Sequence, residues 1–247
     1  MAIKEDDKLH DEYAVRVSQA AFSWAGVPRF SIEIDGFEVS RGESLLLLGP
    51  SGSGKSTLLN LLCGVTVPET GSISVLGTEV NALREAERDR FRAEHFGVIF
   101  QMFNLLPYAS ALDNVLLPLT FAPRRRNRTA QDGNGSVKTA ALDLLTALKI
   151  DSAQAQHGLA SSLSVGQQQR VAAARALIGR PDVIVADEPT SSLDNAAQDA
   201  FMDMLFSNLG ETGASLIFVS HDERMATRFD RVVRLTDIAR IERGGLE

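Results

Sequence analysis

The segment from Leu45 to Thr57 constrains this chain more than any other. Leu45-Leu46-Leu47-Leu48 is a short, wholly apolar run bounded by turn residues, the pattern of a parallel strand covered on both faces. It leads into Gly49-Pro50-Ser51-Gly52-Ser53-Gly54-Lys55-Ser56-Thr57, which fits G-x-x-x-x-G-K-[ST]. An apolar stretch follows, and the pattern predicts a helix from about Lys55 to Cys63. Strand, glycine loop and helix in that order form a seat for phosphate. Glycines let backbone N–H groups converge on phosphate oxygens without Cβ clashes. The helix N-terminus adds its partial positive charge. Lys55 is placed to reach the outer phosphates, and the Ser56 hydroxyl to ligate Mg²⁺. Such a loop does not name the reaction, because kinases, GTPases and motors share it.

The rest of the chain alternates strands with helices, which means a parallel α/β sheet. Buried strands are predicted at Phe96–Phe100, Val183–Ala186 and Leu216–Val219, with a helix from Asn195 to Leu209. Upstream, Ser31-Ile32-Glu33-Ile34-Asp35 alternates, Gly36 breaks the pattern and Phe37-Glu38-Val39 resumes it. Two strand ends carry chemistry. In an open parallel sheet the carboxyl ends of the strands face the ligand. Asp187 is thereby positioned to hold Mg²⁺ through water, and Glu188 to orient and deprotonate an attacking water. His221 ends the Leu216–Val219 run and should point into the same crevice, towards a γ-phosphate or Glu188. His10, His95 and His157 have no such setting and read as surface or structural.

With 247 residues and net charge −7, the chain is long for one core and poorly suited to gripping nucleic acid. Its one cysteine, Cys63, cannot form an internal disulfide and reads as buried in the apolar helix. The charged start, Met1 to Lys8, is not a secretory signal, and no apolar run approaches a membrane-spanning length. Residues 1–12 read as a flexible N-terminus. The stretch 101–177 reads as mostly helical. Within it, Arg124-Arg125-Arg126-Asn127-Arg128 and the polar segment Thr129 to Gly135 read as a solvated loop, with contact to anionic lipid as the alternative.

Leu163-Ser164-Val165-Gly166-Gln167-Gln168-Gln169-Arg170 resembles the signature of ABC ATPases. The other motifs stand in the family's order: the phosphate loop, Gln101 as the Q-loop, the signature, Asp187-Glu188, Ser192-Leu193-Asp194 as the D-loop, and His221 as the switch histidine. The resemblance covers roughly residues 13–235. It implies an α/β P-loop NTPase core with a parallel sheet, a small antiparallel β lobe and an inserted helical lobe at about 101–177, all within one ABC ATPase domain, 13–247. It implies ATP and Mg²⁺ as cofactors, with Ser56, Gln101 and Asp187 around the metal. It also implies two copies facing head to tail, so that ATP on one phosphate loop is sealed by Ser164, Gly166 and Gln167 of the other, with Asp194 at the same interface. Trp24 is similar in position to the aromatic residue that stacks on adenine, with Phe22 as a competitor. The family pattern usually has glycine where this chain has Val165.

The stretch Phe100 to Leu119 looks like ATPases of the lipoprotein-release and macrolide-export type. In that reading an integral membrane permease is the partner, the apolar surface after Gln101 docks one of its cytoplasmic helices, and the chain sits on the cytoplasmic face of the cell membrane. A machine other than a transporter, such as a membrane-linked regulator of cell-wall enzymes, is the alternative. Repair and translation ATPases fit poorly, since the chain has neither a coiled-coil insertion nor a second phosphate loop.

Overall fold

The computed structural model describes residues 12–25, 30–191 and 193–243. The expectations for residues 1–11, His10 among them, and for Ser192 lie outside the described residues. In chain order the elements are β1 (Tyr13–Trp24), β2 (Phe30–Ser40), β3 (Ser44–Leu48), α1 (Lys55–Leu62), β4 (Thr70–Val75), β5 (Thr78–Glu79), α2 (Glu85–His95), β6 (Phe96–Ile99), α3 (Ala111–Leu116), α4 (Pro123–Asp132), α5 (Val137–Ala147), α6 (Ser152–His157), α7 (Val165–Leu177), β7 (Val183–Asp187), α8 (Asn195–Thr212), β8 (Ser215–Ser220), β9 (Arg231–Arg234), α9 (Leu235–Ile238) and β10 (Ala239–Arg243). They fall into two compact units, Met1–Arg92 with Ser215–Glu247 and Ala93–Ala214.

The first unit holds an antiparallel sheet in the order β10-β2-β1-β4-β5. Its buried face switches along the strands. On β1 it passes from Val15 and Val17 to Ala20, and on β2 from Ile34 to Phe37. Gln19, at φ 48, supplies the twist, and β4 shifts register against β1 at the same place. β2 therefore runs unbroken through Gly36, where alternation alone suggested a break. The same unit carries β3 in parallel pairing with β8 on one side and β9 on the other. Leu45 to Leu48 and all of β8 are buried, as a doubly covered sheet requires. α1 buries Leu58, Leu59, Leu61 and Leu62, and Cys63 closes it from a buried position. Burial pushes the Cys63 thiol up to about 12, so it is a packed, protonated group and not a nucleophile.

The second unit pairs β6 and β7 in parallel, Phe96 opposite Val183 through Ile99 opposite Ala186. α3, α5, α6 and α7 pack around an apolar cluster that includes Leu112, Val115, Leu145, Ile150, Val171 and Ala174. α7 lies so close to β6 that a Cβ at Gly97 would sit 2.3 Å from the Ala176 carbonyl oxygen. His95 makes a structural contact, with Nδ1 2.7 Å from an Asp182 carboxylate oxygen.

The arginine cluster is not a loop. Arg124 to Arg128 lie in α4, and the turn is confined to the residues after Asp132, where Asn134 and Gly135 have positive φ. Pro123 fixes φ in the first turn, and the Glu94 carboxylate accepts the Arg124 and Arg125 N–H groups at 3.0 and 3.2 Å. Arg125 is only 1% exposed. Its guanidinium donates to the carbonyls of Ala93, Phe96, Ala176 and Ile178. Burial lowers its pKa to about 10, which still leaves it charged at neutral pH. The cation stabilises the carboxyl end of α7 and is not available to lipid.

Candidate functional site

In the first unit, α1 starts at Gly54, whose φ is 101, and no side chain caps it. Two reasons require glycine there. The conformation is left-handed, and a Cβ would come 2.9 Å from Cζ of Phe30. Gly52 is also left-handed, at φ 74, while Gly49 has no room for a Cβ, which would meet Ser53 Oγ at 2.8 Å. Lys55 is buried, and its Nζ donates to the Gly49 and Pro50 carbonyls at 2.6 and 2.8 Å. The ammonium is thus folded back over the start of the loop, while Ser53 Oγ is buried with no hydrogen-bond partner. Clustered main-chain donors, a lysine and an unsatisfied hydroxyl fit a bound polyphosphate. Ser56 is exposed and Thr57 half-buried on the first turn of α1, and Ser51 and Pro50 lie on the loop before it.

Side chains from outside the loop gather at it. Trp24 Nε1 donates to Thr57 Oγ1 at 3.3 Å, so the tryptophan reaches the phosphate helix. It remains 44% exposed, which leaves ring surface for stacking. Phe22 packs edge-on against Trp24, with centroids 4.9 Å apart, and supports that ring. His221 follows directly on Ser220, whose carbonyl accepts the Gly49 N–H at 3.4 Å; this places the histidine at the base of the loop. Phe30 and Arg243 were not singled out in the sequence. Arg243 donates through Nη2 to the Gly52 carbonyl. Both reach the loop only because β1, β2 and β10 pair as they do, which no linear motif records.

The second unit gathers the remaining candidates. β6 and β7 run parallel and end together, so Gln101, just beyond β6, and Asp187-Glu188, at the end of β7, share one end of the pair. Glu188 has φ 44, a left-handed conformation that is costly for a non-glycine residue and typical of functional positions. Gln169 of α7 donates from Nε2 to the Pro189 carbonyl at 2.8 Å, tying the signature helix to the turn after Glu188. Ser164 is the N-cap of α7, and the helix begins at Val165. The cap is reciprocal: Gln167 N–H donates to Ser164 Oγ at 3.3 Å, and Ser164 N–H donates to Gln167 Oε1 at 2.9 Å. Gly166 has open space where a Cβ would stand, and Val165 is exposed. Asp194 caps α8, its carboxylate accepting Ala197 N–H at 2.8 Å.

The loop after Gln101 is held rigidly. Phe103 and Asn104 both have positive φ, and Arg175 of α7 donates to both carbonyls. Burial lowers the Arg175 pKa. Asn114, fully buried, pairs with the N–H and carbonyl of Leu106 at 2.8 and 3.1 Å. What this frame leaves outside is apolar: Met102 is 80% and Tyr108 74% exposed. Among the described residues no three His, Cys, Asp or Glu side chains form a metal cage. Mg²⁺ does not require one, since it is commonly held by one or two protein ligands plus substrate phosphates and water. Among the described residues no helix is long and apolar enough to cross a membrane.

The chain matches the ABC transporter family over residues 33–191. It is 44% identical over 199 residues to the uncharacterized ABC transporter ATP-binding protein YbbA of Escherichia coli strain K12, covering 81% of this chain and 83% of that one. It is 40% identical over 204 residues to the lipoprotein-releasing system ATP-binding protein LolD of Zymomonas mobilis, covering 83% and 84%. Among solved structures, the ATP-binding cassette MJ0796, in a dimeric post-hydrolysis state bound to ADP and Pi, superposes with a TM-score of 0.74 at 32% identity, covering 94% of this chain and 100% of that one. A phosphate loop, two carboxylates after a buried strand and a serine-capped signature helix, together with these likenesses, assign the chain to the ABC transporter family, among its ATP-binding and ATP-hydrolysing subunits.

Proposed function

We propose that this chain works as a head-to-tail pair, with ATP held on the phosphate loop of one copy and sealed by the signature of the other, and that the pair drives a separate membrane permease from the cytoplasmic face. The single observation that carries the reading is the pair of unlike helix N-termini in one chain, α1 with a glycine start and α7 with a serine cap. One nucleotide has no use for two such seats in one copy; across two copies each has a role. That MJ0796 was solved as a dimer bound to ADP and Pi supports it.

In this reading residues 13–247 form one domain. The amides from Gly49 to Thr57 and the ammonium of Lys55 hold the phosphates, and Trp24 stacks on adenine. Ser56, Gln101 and Asp187 would be the residues to hold Mg²⁺. The metal's chemistry is to neutralise charge developing on the phosphates. Glu188 takes the proton of the attacking water, and His221 contacts the γ-phosphate. Ser164, Gly166, Gln167 and Asp194 come from the partner copy. The exposed Met102 and Tyr108, on a loop pinned by Arg175 and Asn114, form the surface that receives a permease helix. Export or mechanotransmission is favoured by the likeness to the lipoprotein-releasing protein LolD. The test is co-purification from native membranes, with tagged Glu188→Gln held closed by ATP. An integral membrane protein at equal stoichiometry is the expected result. Recovery of soluble proteins alone would remove the membrane role and leave the ATPase.

A further inference from the structure

One cross-strand row of the antiparallel sheet lies over the phosphate loop. Trp24 of β1 is the register partner of Phe30 on β2, and Phe30 is the register partner of Arg243 on β10. Each member meets a different point of the loop or its helix: Trp24 at Thr57, Phe30 at Gly54 and Arg243 at the Gly52 carbonyl. A Cβ at Gly52 would have its nearest contacts with the Arg243 guanidinium, at 3.7 and 4.0 Å.

Gly52 and Gly54 are where the loop relaxes most readily, because glycine loses the most conformational freedom when it is fixed. A loop already in its binding shape spends less of its interaction energy on ordering. Phe30 restrains the second glycine by contact. Arg243 restrains the first by a charge-assisted hydrogen bond to its carbonyl, and brings a fixed positive charge to the outer side of a seat for a polyanion.

We infer that Arg243 is a positioning residue of the nucleotide site, a latch that β10 lays on the phosphate loop to hold the Gly52 turn and raise affinity for the phosphate groups of ATP. The inference rests on the reading of Gly49–Thr57 as the ATP seat. It concerns a residue outside every motif that carries the family likeness.

The test is equilibrium binding of ATP with Mg²⁺ to the full chain at low and high salt, for wild type, Arg243→Ala, Arg243→Gln, Arg243→Lys and Glu242→Ala, with thermal unfolding of each. Arg243→Ala should weaken ATP binding by about threefold to tenfold at low salt, the range expected for losing one solvent-accessible charge-assisted hydrogen bond. Its salt dependence should be shallower than that of wild type, because one fixed cation near the phosphates is gone. Arg243→Lys should recover most of the affinity and the salt dependence. Arg243→Gln, which keeps a donor but no charge, should recover part of the affinity and none of the salt dependence. Two results would overturn the latch: wild-type affinity in both Arg243→Ala and Arg243→Gln at low salt, or equal weakening by Glu242→Ala, which would trace the loss to the strand instead of the guanidinium. A wild-type chain that binds no ATP would overturn the nucleotide seat itself, and the latch with it.

Discussion

α1 and α7 both offer a helix N-terminus to an anion, and they are built in opposite ways. α1 starts on a left-handed glycine with no side-chain cap. Such a start leaves first-turn amides to a ligand or to water. α7 starts on Ser164 with a complete capping box, so two of its donors are already satisfied. The Ser164 hydroxyl accepts one hydrogen bond and keeps its own O–H donor. The first helix is therefore a seat that needs its ligand. The second is a finished end that can add one contact to a ligand held elsewhere. The surroundings differ to match. Beside α1 stand a buried lysine and three side chains of an adjoining sheet, whereas α7 presents the exposed Val165 and the open Gly166. In the proposed head-to-tail pair, the seat of one copy and the completing contact of the other make one site.

The widest separation between holding ATP and consuming it comes from Glu188. Glu188→Gln keeps its shape but cannot take a proton, and hydrolysis should fall by about 10²–10⁴ while ATP binding remains. Phosphate release against nucleotide binding checks this, and unchanged turnover would remove Glu188 as the base. Lys55→Ala tests the seat alone. It should weaken ATP binding by roughly 10- to 100-fold, since it deletes a charge-assisted donor to phosphate and loosens the Gly49–Pro50 turn. Wild-type affinity in that variant would make α1 no different from α7.

The smallest effect lies beneath the seat. Asp230 accepts the Ser44 N–H at 2.8 Å and the Ser44 hydroxyl at 2.7 Å, which pulls its pKa below the ordinary 3.8. A depressed carboxylate stabilises the folded chain above its unfolded value, and that contribution is lost as pH falls through the folded value. Asp230→Asn should cost about 0.5–1 kcal/mol at neutral pH. The difference from wild type should shrink on acidification below about pH 4, as thermal unfolding across pH would report.

The phosphate loop was legible because its requirements are local. Glycine, lysine and hydroxyl positions follow one another, and strand and helix flank them. The arginine cluster was not. Its charge and the nearby Asn134 and Gly135 read as solvated loop, yet Arg125 satisfies carbonyls at Ala93, Phe96, Ala176 and Ile178. Acceptors that distant in sequence leave no local trace. Phe30 and Arg243 were hidden likewise, since their meeting with the loop is a property of strand register. Gly36 misled in the other direction, because the flip of the buried face between Ile34 and Phe37 imitates a strand end.

The central claim is that the seat of one copy is completed by the signature of another, and the mass of the chain in solution with ATP tests it most directly. Glu188→Gln with Mg²⁺ and ATP should sediment as a dimer, and as a monomer without nucleotide. The same variant carrying Ser164→Arg should bind ATP and stay monomeric, because a long cation would replace the small hydroxyl at the meeting point. A Glu188→Gln, Ser164→Arg chain that dimerises on ATP as readily as Glu188→Gln alone would contradict the shared site.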